Sequence, residues 1–107
     1  MNSRRKGADG ERELAEVLRK LGFETRRGVQ YSGINGDADV VGVEELHIEC
    51  KRVEQLNLYN AMDQSRRDAR DNEVPVVMHR KNHKTWLVTM DLTEFIRLWK
   101  EAHYDKQ

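Results

Sequence analysis

Apolar residues recur along the chain in short blocks, and their spacing changes from that of helices to that of strands. Leu14, Val17, Leu18 and Leu21 fall at i, i+3, i+4 and i+7, which predicts a first helix over 9–21 that stops at Gly22. Phe23–Arg27 is a short strand candidate. The segment 28–36, GVQYSGING, has three glycines and no charge and reads as a loop. ADVVGV at 38–43 is largely β-branched. In 46–53, Leu46, Ile48 and Cys50 alternate with His47, Glu49 and Lys51. With Glu44-Glu45 as the turn, these two stretches predict an antiparallel hairpin. A second helix over 57–71 lines up Leu58, Met62, Ser65 and Ala69 and stops at Asn72. Strands follow at 74–79 and 84–90, joined through Asn82, with Pro75 where a missing N–H is tolerated. Asp91 as N-cap, Glu94 at N3 and a Met90–Phe95 staple open a last helix, 91–102, whose buried face is Leu92, Phe95, Ile96 and Trp99. The order α-β-β-β-α-β-β-α predicts a layered α/β or α+β structure, a hairpin-rich sheet flanked by helices.

Composition narrows the function classes. A length of 107 residues implies one domain over 1–107 with one core. Apolar residues make up 37% and charged residues 36%, so much of the chain is surface or site. No apolar run approaches the ~18 residues of a membrane span, and no apolar stretch follows the charged start, so neither a span nor a signal peptide is expected. The single cysteine, Cys50, rules out a disulfide within the chain and suits a reducing cytoplasm. Nineteen basic and nineteen acidic residues cancel, yet they are sorted. Arg4, Arg5 and Lys6 form one basic stretch, and His79, Arg80, Lys81, His83 and Lys84 form another. Between them, 37–49 holds Asp37, Asp39, Glu44, Glu45 and Glu49 without Lys or Arg. A basic rim around an acidic centre suits a polyanion held beside a cation; ordinary solvated charge is the other reading.

Four residues carry candidate chemistry. Glu11 lies three residues before Leu14 and seven before Leu18, on the apolar face of the first helix, where an unpaired carboxylate is costly and a cation partner is expected. A first-turn acid favouring the helix N-terminus is the structural alternative. Counting back through the Glu44-Glu45 turn places Asp39 within about one residue of Glu49 across the hairpin. Two carboxylates that close repel unless one is protonated or a cation lies between them, and a few hard oxygen ligands suit Mg²⁺. The alternative is a turn-capping Asp39 and an exposed Glu49. Lys51 shares the Glu49 face and can activate a water or offset charge on a phosphate.

These residues fall in a recognisable pattern. GADGEREL, then GDADVVG, then HIECK resembles the PD-(D/E)XK nuclease superfamily, and within it the archaeal-type and phage-encoded Holliday junction resolvases. Lys6-Gly7 through Leu14 and Gly22–Arg27 match that group's opening helix and first strand. The resemblance covers roughly 4–90. It implies a restriction-endonuclease-like αβββαβ core, over about 7–90, with a mixed central sheet flanked by helices. It implies Glu11, Asp39, Glu49 and Lys51 as catalytic residues. It also implies Mg²⁺, with Mn²⁺ as a substitute, held by Glu11, Asp39, Glu49 and the Cys50 carbonyl. Arg27 and Ser32 map onto its DNA-binding positions. Arg4, Arg5, Lys6 and Arg52 complete the expected DNA-binding set. D-A-D replaces P-D here, so Asp37 competes with Asp39, and Gln64 on the second helix is a further candidate.

The remaining candidates have plainer readings. His47 shares the Glu49 face and is a candidate metal ligand or base, with a rim position as its plainer reading; Cys50 is expected in the core, as are Trp86 and Trp99 rather than as base-stacking platforms. The function implied is metal-dependent hydrolysis of branched or double-stranded DNA by a homodimer, because two opposed strands need two sites. Leu98, Trp99 and Tyr104 are candidates for its interface, and the setting implied is a prokaryotic or phage-infected cytoplasm. A DNA-binding module that kept the fold without activity is the alternative, as is a generic nicking nuclease. The intact acidic and lysine set favours the enzyme.

Overall fold

The computed structural model describes residues 3–29 and 38–104, without the side chains of residues 3–6. Helix α1 (Ser3–Lys20) is followed by strands β1 (Arg26–Arg27), β2 (Val40–Val41) and β3 (Leu46–Arg52). Helix α2 (Leu58–Asp68), strands β4 (Val74–Arg80) and β5 (Leu87–Met90) and helix α3 (Leu92–Tyr104) follow, completing the elements among the described residues. The five strands lie in sequence order in one sheet. Among the described strands only β3 and β4 are parallel, so the sheet is mixed, and α2 supplies the crossover that a parallel pair requires.

The helices α1 and α2 take opposite faces of β3 and β4. Leu14, Ala15 and Leu18 pack with Val40, Ile48, Cys50, Val74 and Val76 on one side. Ala61 and Met62 cover Val77 on the other. A strand buried on both faces explains why His47, Ile48, Glu49 and Cys50 are all buried in succession. Ser65 ties α2 to the sheet, its hydroxyl donating to the carbonyls of His47 and Val76, both at 3.1 Å.

The predicted element order holds, and the boundaries differ for local reasons. Helix α1 begins six residues earlier than the apolar spacing indicates, because a turn with no apolar residue is invisible to that spacing. Strands β1 and β2 are two residues each, against five and six predicted. Gly42 has φ +120°, and a Cβ there would lie 2.3 Å from the Glu24 carbonyl oxygen, so the ladder breaks where the two backbones meet. Helix α2 starts after Asn57, whose side chain accepts from the Asn60 N–H at 3.1 Å, and it ends at a C-cap at Ala69, three residues before the expected stop. The β4–β5 turn includes His83 at φ 63°, which shortens the last strand to four residues.

Helix α3 departs most from expectation. Its predicted inner face is exposed: Leu92 by 73%, Phe95 by 50%, Ile96 and Trp99 by 41% each. No residue of α3 is buried. The Asp91 carboxylate, expected to cap the helix, receives the Arg66 guanidinium instead. Trp99 is therefore not a core residue; it stacks on His103 at 4.1 Å and meets Tyr104 edge-on. Trp86 is half-buried against the core, with the Arg80 guanidinium 5.8 Å from its ring centroid.

Candidate active site

The hairpin register builds the site. Val40 pairs with Ile48, which sets Asp39 opposite Glu49. The extra residue between Val40 and the Val43–Leu46 turn closure, at Gly42, produces this offset. Asp39 is clamped to β3 from both ends. Its N–H donates to the Ile48 carbonyl at 3.0 Å, and its Oδ2 accepts the Cys50 N–H at 2.9 Å. Glu49 is 3% exposed. Burial pushes the Asp39 carboxyl up to about 7, the Glu49 and Glu11 charges push the same way, and the Cys50 N–H works against them. Burial likewise pushes the Cys50 thiol up, so Cys50 is no nucleophile.

Glu11 enters from α1. A Cβ on the preceding Gly10 would lie 3.0 Å from the Arg52 Cβ, so Gly10 lets the helix approach β3 closely. The Glu11 side chain is only 13% exposed, and its Oε1 accepts from Arg27 Nε at 2.9 Å. The inward acid thus has the cation partner that its position demands, and that partner is a residue assigned to DNA contact. Glu11, Asp39, Glu49, Lys51 and Gln64, with Cys50, line one cleft of about 260 Å³. The buried Glu49 Oε2 has no hydrogen-bond partner among the described residues. Clustered carboxylate oxygens with an unsatisfied member fit a hard divalent cation.

A family model described as "phage putative PDDEXK endonuclease" matches residues 2–106. The chain belongs to this family. Its fold is shared with Hjc, a Holliday junction resolvase from the archaeal hyperthermophile Archaeoglobus fulgidus. That likeness has a TM-score of 0.60 and 25% identity over 79% of this chain and 72% of the other. No curated protein matches the chain. The nuclease family and the mixed-sheet fold expected from the motifs both hold.

Other expected positions of this PDDEXK endonuclease fall differently. Arg52 pairs with Glu13 at 3.2 Å, and Arg80 pairs with the same carboxylate, which these contacts hold below the usual carboxylate range. A phosphate would therefore have to compete for Arg52. Ser32, Asp37 and the side chains of Arg4, Arg5 and Lys6 lie outside the described residues. His47 is not a rim residue: it is 2% exposed, because the α2 face of β3 is covered. Its Nδ1 lies 3.2 Å from Glu73 Oε1. Burial works to lower the His47 pKa, but the Glu49 and Glu73 carboxylates outweigh it and raise it. Sequence reasoning missed Glu73 and Asp68. Their approach to β3 depends on how α2 docks, and no local spacing encodes that.

Proposed function

We propose that the chain is a divalent-metal-dependent endodeoxyribonuclease that cuts branched DNA as a homodimer and resolves four-way junctions. The observation that carries this reading is the buried Asp39–Glu49 pair, with Glu11 and Lys51 in the same cleft. Asp39, Glu49, Glu11 and the Cys50 carbonyl are the groups that would hold Mg²⁺, with Mn²⁺ as a substitute. When bound, the cation supplies a Lewis acid for the phosphate oxygen and lowers the pKa of a bound water. Asp39 gives up its proton as the site is loaded, since its carboxyl is neutral over part of the physiological range only while the like charges around it are uncompensated. The Lys51 ammonium orients water in the cleft and offsets negative charge on the phosphoryl group under attack. Arg27 holds Glu11 in place and, with Arg4, Arg5 and Lys6, neutralises phosphates flanking the cut.

The archaeal resolvase with this fold acts on Holliday junctions. Resolution requires two cuts on strands related by a two-fold axis, and each chain brings one site. The exposed apolar run over Leu87, Val88, Leu92, Phe95, Ile96, Trp99 and Tyr104 supports pairing of two copies through β5 and α3. Residues 1–107 act as one nuclease domain, in the cytoplasm of a prokaryotic or phage-infected cell where recombining DNA resides. The test is incubation with a four-way junction, matched duplex and single strand, with and without Mg²⁺. Paired nicks in the junction, dependent on Mg²⁺, are expected. Equal cutting of junction and duplex would reduce the reading to a generic nuclease, and junction binding without cutting in Mg²⁺ or Mn²⁺ would reduce it to a binding module.

A further inference from the structure

A second set of metal-ligating side chains lies on the α2 face of β3, and the reaction proposed above uses only one of its members. His47, Glu49 and Asp68 each present a donor atom, and the three atoms lie within 4.8 Å of one another. The His47 and Glu49 side chains are 2% and 4% exposed. Glu73 Oε1 lies 3.2 Å from His47 Nδ1 and also accepts the Arg70 N–H at 2.9 Å. An ionised carboxylate accepts only, so Nδ1 carries an N–H, and in the neutral ring the Nε2 lone pair faces inward. A carboxylate behind a histidine in this way is the usual support of a metal-bound imidazole.

The inward side is unsatisfied. His47 Nε2 and Glu49 Oε2 are both buried without a hydrogen-bond partner among the described residues. Nε2 faces Glu49 Oε1 across 3.8 Å. As a lone pair, Nε2 is repelled by that carboxylate. As an N–H it falls short, because N–H···O bonds span about 2.7–3.2 Å. A metal bonded to both atoms at about 2.0–2.2 Å with a near-tetrahedral angle holds its ligand atoms roughly 3.3–3.6 Å apart, so the 3.8 Å gap needs to close by only a few tenths of an ångström on binding.

We infer that His47 Nε2, Glu49 and Asp68 form a second cation site, between β3 and α2, for a borderline transition ion of the Zn²⁺ or Mn²⁺ class. One imidazole and two carboxylates favour such an ion over Mg²⁺, which takes oxygen ligands and keeps its waters. Glu49 then belongs to two sites. A cation on its His47 side fixes its carboxylate and lowers the negative charge behind the Asp39–Glu49 pair.

The two sites separate by substitution, since Asp39 serves one and Asp68 the other. Equilibrium dialysis of the full chain against Co²⁺, without DNA, gives stoichiometry and affinity. The visible spectrum of bound Co²⁺ reports nitrogen ligation. Asp39→Asn is expected to keep an ion with the nitrogen-ligated spectrum. Asp68→Asn and His47→Gln are expected to lose that ion or bind it at least ten-fold more weakly. Wild-type Co²⁺ affinity and spectrum in Asp68→Asn would overturn the inference. Should the buried His47→Gln fail to fold by circular dichroism, the less buried Asp68→Asn decides alone. No DNA is present, so an inert chain that binds this ion leaves the inference standing, and an active nuclease that does not bind it overturns the inference without touching the proposed activity.

Discussion

The middle of β3 and the β5–α3 end of the molecule break the usual rule of burial in opposite directions. At β3, ionisable groups are inside: His47 and Glu49 are 2% and 3% exposed, and Asp39 is clamped beside them. At α3, apolar groups are outside, with Leu92, Phe95, Trp99 and Tyr104 all at least 41% exposed. Buried carboxylates that repel one another cost stability, and an exposed apolar run gains nothing from folding the single chain. On the function proposed above, each departure would be settled by something that binds: cations in the first region, a second copy in the second. The difference also separates the roles. Changes at β3 should alter chemistry with little effect on assembly, and changes at α3 should do the reverse.

The strongest way to break this comparison is Glu49→Gln. Cleavage of a junction should fall below detection, a loss of at least about 10³-fold, while junction binding persists or tightens because a negative charge near phosphate is gone. Normal single-turnover cleavage by this variant would remove Glu49 from the ligand set. Lys51→Ala comes next. It should fold and bind metal normally but lose about 10²–10³-fold in single-turnover rate, the usual worth of one group aimed at developing charge. A rate within a few-fold of wild type would make Lys51 a solvated strand residue.

The α3 end is probed by Phe95→Asp with Trp99→Asp. Loss of two aromatic anchors should weaken self-association by at least about 30-fold in sedimentation velocity, with the fold intact by circular dichroism. An unchanged sedimentation coefficient would mean that α3 is not the pairing surface. The β3 region has its own stability signature. The Asp39 carboxyl is raised from 3.8 to about 7, so the metal-free native state binds the extra proton in that window. The contribution of this group is therefore full below about pH 4 and is lost as pH climbs towards 7, by a few kcal/mol at most. Denaturant titrations of the metal-free chain from pH 4 to 8 should show this fall. Asp39→Asn should flatten it, and a wild-type slope in that variant would assign the titration elsewhere. The smallest effect is expected for Arg4, Arg5 and Lys6 changed together to Ala. The slope of log affinity against log salt should flatten by roughly 2–3 units, with the chemical step at saturating DNA little changed. An unaltered slope would move the DNA surface towards His79–Lys84.

Much of this architecture was legible before the structure. The 3.6-residue spacing of Leu14 and Leu18 and the alternation of Ile48 and Cys50 report which face of each element is buried, and both pairs lie in the core. The count through the Glu44-Glu45 turn brought Asp39 to Glu49 within one residue, since hairpin register is a local property. The inward placement of Glu11 was legible for the same reason, as a break in a helical stripe. What stayed illegible depends on how elements dock. Local pattern could not report that the second face of β3 is covered, and so His47 read as a rim residue. Nor could it report that Arg27 reaches sixteen residues back to Glu11, or that Glu13 joins Arg52 and Arg80. The apolar stripe of α3 was read correctly as a stripe; that nothing among the described residues buries it is a fact of packing.

The sequence by itself determined the element order, the hairpin and the acidic and lysine set, because each member is read from the spacing of residues within about ten positions of it. Only the tertiary structure decided which charges pair, which histidine is buried and which apolar face is left open. Those outcomes depend on the space between elements far apart in the chain, where burial and Coulomb energy act on neighbours that no local spacing specifies.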